Sequence, residues 1–253
     1  MARPPSAPDL VRSIYLLWGR RPTQGRSGLS VESIVKAAID LADEQGLTAV
    51  SMRKVATHLD VGTMSLYAYV PGKEDLLALM VDTAYGELYG DNADEAAEQG
   101  DWRAGVRFVA KANWELFQRH PWLLDLRLAR PVLGPHASRK FEVELRPLDG
   151  IGLSDVAMES ALTMILNHVE SIARSGRRTH DSQDDSGMTE MQWWAIVGPA
   201  LDQVIDDDQL VVSGRVGMAV GEHFQSASAS PQHALDFGLN VILDGIGAQL
   251  NGS

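Results

Sequence analysis

The side chains with the clearest chemical use lie close together, between Ser51 and Lys73. Arg53, Thr63, Met64, Ser65, Tyr67, Ala68 and Tyr69 supply a guanidinium, several hydroxyls and small or apolar tips, with no carboxylate among them. Such a set suits the edges of base pairs and the phosphates beside them. A guanidinium donates to guanine or to phosphate, a tyrosine hydroxyl reaches a phosphate oxygen, and small side chains let a backbone come near the base edges. Lys73 adds a further partner for phosphate.

These groups are useful only if one face presents them, and the spacing of the apolar residues supplies that face. Ser51 has the short oxygen-bearing side chain that caps a helix, and Val55 and Leu59, four apart, give that helix one buried stripe. Asp60-Val61-Gly62 breaks it. Thr63 is suited to cap a second helix, in which Leu66 and Val70 are again four apart, while Val61 fills the angle between the two. Pro71-Gly72 stops the second helix. Two short helices joined by a tight turn predict a helix-turn-helix. The spacing alone also fits two ordinary surface helices of an all-helical domain.

Upstream, Ser30 caps a helix whose apolar residues Val31, Ile34, Val35, Ala38, Leu41 and Ala42 form one stripe, and Gly46 ends it. This helix, the helix pair and Lys73-Glu74-Asp75-Leu76-Leu77 together resemble the DNA-binding domain of TetR-family transcriptional repressors, in the pattern S-M-R-x-V-A-x-x-L-x-V-x-x-x-S-L-Y-x-Y-V-x-x-K. One residue departs from the family: Asp60 stands where a glycine usually ends the helix, and aspartate tolerates a left-handed backbone better than most residues. The resemblance implies an all-α chain: a three-helix DNA-binding domain at residues 29–75, then a larger helical ligand-binding and dimerisation domain at 76–253. It implies a ligand-responsive repressor that binds a near-palindromic operator as a homodimer and is released by a small organic effector. Ser51, Arg53, Thr63, Met64, Ser65, Tyr67, Tyr69 and Lys73 are then its DNA-binding residues. Residues 1–28, with their arginines and prolines, are expected to form a flexible arm.

Composition sets the bounds. The chain has 253 residues, 45% of them hydrophobic, enough for a sizeable core, and no apolar run of membrane-spanning length. The segment Ser13 to Trp18 is too short for the core of a signal peptide, and the absence of cysteine removes disulfides and thiolate zinc sites; together these point to the cytoplasm. The net charge of −12 is unevenly spread. Residues 1–75 carry nine Lys and Arg against eight Asp and Glu, whereas 76–253 carry thirteen against twenty-six. An acidic body repels DNA and confines contact to the near-neutral end, so paired heads are needed for tight binding.

Beyond residue 76 the periodicity is helical, with no strand pattern. Helices are expected from Glu74 to about Gly90, Asp101 to Arg119, Ala137 to Asp149, Ser154 to Arg174, Thr189 onward, Val216 to Phe224, and Ser230 to the end. Ser175 to Gly187 is polar and reads as a loop. Trp114, Phe117, Trp122, Leu126, Met164, Trp193 and Trp194 lie on helices expected to converge beneath the reader, with Arg130 and His168 as polar anchors, a composition suited to an organic effector. The same residues also serve as plain core.

No catalytic signature is present: H-E-x-x-H, G-x-S-x-G and phosphate-cradling glycine loops are all missing. His168 and Glu170 are two apart on a helix and diverge. An enzyme or small-molecule-binding helical protein without a DNA role is the alternative to the repressor. The run Asp206-Asp207-Asp208 reads as solvated rather than as a metal site, and no cofactor is expected.

The last helix bears on assembly. Leu235, Leu239, Ile242, Leu243, Ile246 and Leu250 make one stripe and Phe237, Val241 and Ala248 a second, so one neighbour cannot cover it. Gly238 and Gly245 would admit another helix, and 154–174 with 231–250, paired with their copies, would give a four-helix interface. This half resembles the ligand-binding domain of the tetracycline repressor through Trp102, Arg127-Leu128-Ala129-Arg130-Pro131, Gly152-Leu153-Ser154, Phe237-Gly238-Leu239 and Gly245. In that repressor a histidine of the matching segment helps hold a magnesium-bound drug. Arg127 stands at that position here and cannot ligate a metal, so the resemblance implies effector binding without a divalent ion.

Overall fold

The structure is a computed structural model that describes residues 7–20, 29–126, 130–201, 203–204, 210–226 and 228–251. Its first element replaces part of the expected flexible arm. Helix α1 (Ala7–Leu17) buries Leu16 against the reader's core, the Ser13 hydroxyl donates to Asp75 at 2.5 Å, and the Trp18 indole N–H donates to the Leu133 carbonyl at 2.9 Å. The prolines suggested disorder, yet Pro8 falls in the first helical turn, where its missing N–H costs nothing. Arg3, Arg21 and Arg26 of the arm lie outside the described residues.

Helix α2 (Val31–Gln45) starts at a reciprocal cap, Ser30 and Ser33 each accepting the other's backbone N–H, and stops at Gly46, whose φ of 77° a residue with a side chain rarely adopts. Helices α3 (Met52–His58) and α4 (Thr63–Tyr67) follow, then α5 (Lys73–Tyr85). Ile34, Val50, Val55, Leu66, Val70, Leu76 and Met80 are fully buried between them. Each contributes about 1.5–3 kcal/mol by leaving water.

Asp101 caps α6 (Trp102–Arg119), its carboxylate accepting the Ala104 N–H at 2.8 Å. Pro121–Asp125 is a 3-10 turn, α7 spans Pro135–Leu145, and a further 3-10 turn covers Arg146–Leu148. Two buried carboxylates lock these helices together. Asp82 of α5 accepts the Ala137 N–H at 2.9 Å and so caps α7 from a neighbouring helix; burial raises its carboxyl above the ordinary value of 3.8. Glu144 is held by Lys140 at 2.7 Å, Tyr89 at 2.9 Å and Asn113 at 2.6 Å, and burial, then the charge of Glu144, pushes the Tyr89 hydroxyl up.

Helix α8 (Asp155–Ser186) is far longer than expected, because the stretch 175–186, read as a loop, continues it. Polar composition alone does not stop a helix: the stretch holds no proline, and Pro231 packs on its one glycine, Gly176. The remaining helices are α9 (Glu190–Leu201), α10 (Val211–Phe224) and α11 (Pro231–Asn251). The Thr189 hydroxyl and Gln192 amide cap α9 reciprocally, and Ser230 caps α11. No strand occurs among the described residues, and none of their helices is long and apolar enough to cross a membrane.

Packing divides the chain into residues 1–163 and 164–253, a boundary inside α8. Helices α2 to α5 therefore share one unit with α6 and α7, and the division expected at residue 75 is not a break in packing.

Candidate nucleic-acid interface

The turn between α3 and α4 decides how the face is presented. Leu59 caps α3, Asp60 takes φ 53°, its N–H bonds the Thr57 carbonyl at 3.1 Å, and the Val61 N–H reaches back to the Ala56 carbonyl at 3.0 Å. These two bonds are those of a helix stop with a left-handed residue just past its end. Aspartate thus does the work usually given to glycine. Val61 is half-buried against the core, as the spacing required.

Ser51 caps α3 by accepting the Lys54 N–H at 3.2 Å, so its oxygen is already engaged. Arg53 is exposed on the second position of α3, next to exposed Lys54, Thr57 and His58. On α4, Met64 is 79% exposed and Tyr67 43%, with Ser65 and Ala68 also open to solvent. Lys73 is the exposed first residue of α5. The structure therefore brings Arg53, Met64, Ser65 and Tyr67 onto neighbouring exposed turns and places Lys73 just beyond them.

Two readings need correction. Thr63 does not cap α4; it already lies in the helix, half-buried, and Gly62, in an extended conformation, holds the cap position without a side-chain bond. A cap residue needs non-helical angles, and those fall one residue earlier than the sequence suggested. Tyr69 is not on the open face either. Helix α4 ends at Tyr67, and the turn that follows carries the Tyr69 ring half-buried against the core. Lys54, Thr57 and His58, not singled out from the sequence, are also exposed on α3, and Thr57 is four residues on from Arg53.

The candidate effector residues divide between the two packing units. In the first, Trp114 is half-buried, Phe117 and Leu126 pack partly buried on the core, and Arg130 is exposed. Trp122 is 1% exposed and its indole N–H donates to Asp43 at 2.8 Å, which makes it a strut of the core rather than an open pocket wall. In the second, Met164 is exposed, and Trp193 and Trp194 are exposed and meet edge to face at 5.1 Å. His168 shares a hydrogen bond at 3.1 Å with the Leu235 carbonyl and rests on Gly238, where a Cβ would come within 2.3 Å of the ring. It joins α8 to α11 within one chain, so Gly238 admits this ring and not a helix from outside. Arg127 and Asp206 to Asp208 lie outside the described residues.

Comparison with known proteins bears on both halves. The family described as bacterial regulatory proteins, tetR family, matches residues 34–80, and the tetracyclin repressor-like C-terminal domain matches residues 95–250. The HTH-type transcriptional repressor DrrR1 of Streptomyces coeruleorubidus is 37% identical over 241 residues, covering 94% of this chain and 86% of its own. The HTH-type transcriptional repressor Rv1353c of Mycobacterium tuberculosis is 28% identical over 234 residues, covering 90% and 84%. Among solved structures, the transcriptional regulator SCO7222 of Streptomyces coelicolor superposes with a TM-score of 0.63 at 26% identity, over 87% of this chain and 98% of that one. ActR of the same organism, solved in complex with actinorhodin, gives 0.69 at 23%, over 88% and 99%.

Proposed function

Since the chain belongs to the TetR family of bacterial transcriptional regulators, we propose that it is a cytoplasmic repressor that binds a near-palindromic operator as a homodimer and leaves it when a small organic effector binds. The observation that carries this reading is the face of α3 and α4. Arg53, Met64, Ser65 and Tyr67 are exposed together, free of carboxylates, on two helices whose angle is fixed by the Asp60 turn. A guanidinium and small side chains read base edges, and Tyr67 and Lys73 hold phosphates on either side.

The proposed dimer joins α8 and α11 to their copies. Leu235, Leu239, Leu243 and Ile246 are buried within the chain, while Phe237 and Val241, on the other side of α11, are 65% and 57% exposed and need a second cover. Two heads on one two-fold body would meet DNA half-sites about one helical turn apart.

The test is selection of bound fragments from the host genome, followed by gel shifts of the recovered fragment against random duplex. A preferred fragment supports the reading; equal binding to random duplex at moderate salt would sink it. An effector should release the operator as well in EDTA as in magnesium and should quench tryptophan fluorescence.

A further inference from the structure

Asp43 stands in the last turn of α2, a turn that holds no basic residue and where the helix dipole opposes a carboxylate. It is nevertheless firmly held. The Trp122 indole donates to Oδ1 at 2.8 Å, and the His120 ring meets the same carboxylate through Nδ1, at 2.8 Å from Oδ1 and 3.1 Å from Oδ2. His120 is 7% exposed and its other nitrogen, Nε2, lies 3.1 Å from Glu87 Oε2. Glu87 in turn lies 3.5 Å from the Arg119 guanidinium.

The imidazole thus lies between two carboxylates, Asp43 at Nδ1 and Glu87 at Nε2. Asp43 and Glu87 face it, and Arg119 pairs with Glu87. Three elements meet at this one ring: the end of α2, the turn after α5, and the junction where α6 gives way to the 3-10 turn of Pro121–Asp125. Nothing in a DNA contact requires such a bridge. It lies at the far end of α2 from the Ser30 cap.

We propose that Asp43, His120 and Glu87 form a clasp that fixes the attitude of the DNA-reading helices against α5 and α6, and that this clasp sets the half-site spacing the protein accepts. Asp43 and His120 are thus positioning residues, acting on DNA only through the pose of the head. The inference rests on the operator-binding reading above.

The experiment uses the full chain and three duplexes: the operator recovered with the wild-type protein, the same operator with two base pairs inserted at its centre, and an isolated half-site at low salt. Asp43→Ala and His120→Ala should lose about tenfold on the intact operator, on the order of one charge-assisted contact. Half-site binding should stay within about twofold and the penalty for the insertion should shrink, because the head itself is unchanged. Asp43→Asn, whose amide oxygen still accepts the Trp122 N–H, should fall between wild type and Asp43→Ala, and it decides the matter if an alanine variant fails to fold. Equal losses on half-site and operator would reduce the clasp to plain structural support and overturn the proposal, as would variants that match wild type on all three duplexes. A wild-type protein that prefers no fragment sinks the repressor reading instead.

Discussion

At the scale of single residues, neighbours on the proposed DNA face have different work. Arg53→Ala should cost roughly 1–3 kcal/mol of discrimination between operator and mismatched duplex, whereas Tyr67→Phe should weaken both alike by removing a phosphate contact. Competition binding separates them, and equal losses on specific and random DNA for Arg53→Ala would reassign it to the backbone. Asp60 holds φ 53° with a side chain present, so Asp60→Gly should raise stability by up to about 1 kcal/mol in thermal melting. A loss of stability would mean that the aspartate side chain itself supports the turn. The residue types of the reading face were legible because polar and apolar positions alternate at helical spacing. What was not legible was the exact end of a five-residue helix, which put Thr63 one place from the cap and turned Tyr69 inward. The choice left open for Trp122, core or pocket, was not legible because a tryptophan's place depends on whether its N–H finds a partner, and Asp43 is 79 residues away.

At the scale of helices, the polar links between elements matter most, and sequence periodicity is blind to them. Asp82 on α5 caps α7, and Gly134 makes room for it: a Cβ there would come within 2.1 Å of the carboxylate. Burial raises the Asp82 carboxyl above 3.8, so the folded chain binds that proton more tightly than the unfolded one. Its contribution is therefore greatest below the unfolded value and is lost as pH rises through the folded one. Asp82→Asn has no charge to bury and keeps an oxygen for the Ala137 N–H. It should melt higher than wild type at pH 7, with the difference closing near pH 4; a gap independent of pH would contradict this. The helices of the reader and the caps of α6, α9 and α11 were legible, since Ser30, Ser51, Asp101, Thr189 and Ser230 each precede an apolar period. The length of α8 was not, because a polar stretch without a breaker reads the same on a helix as in a loop.

At the scale of the whole molecule, the all-helical class was open to reading from pattern alone, whereas the packing boundary inside α8 was not. Assembly was harder, since an apolar face signals that something covers it but not what. The proposed dimer makes this concrete. Phe237→Asp with Val241→Asp places two charges on the open side of α11 without touching its buried stripe, so the chain should fold yet sediment as a monomer. Unchanged dimers would put the interface elsewhere. The most direct measurement is sedimentation of the wild-type protein with its selected operator, read for stoichiometry and repeated on random duplex. A dimeric repressor should place two chains on one operator with half-sites about one helical turn apart, and should prefer it over random DNA by roughly a thousandfold or more. A single chain per duplex, or no preference between the two DNAs, would contradict it.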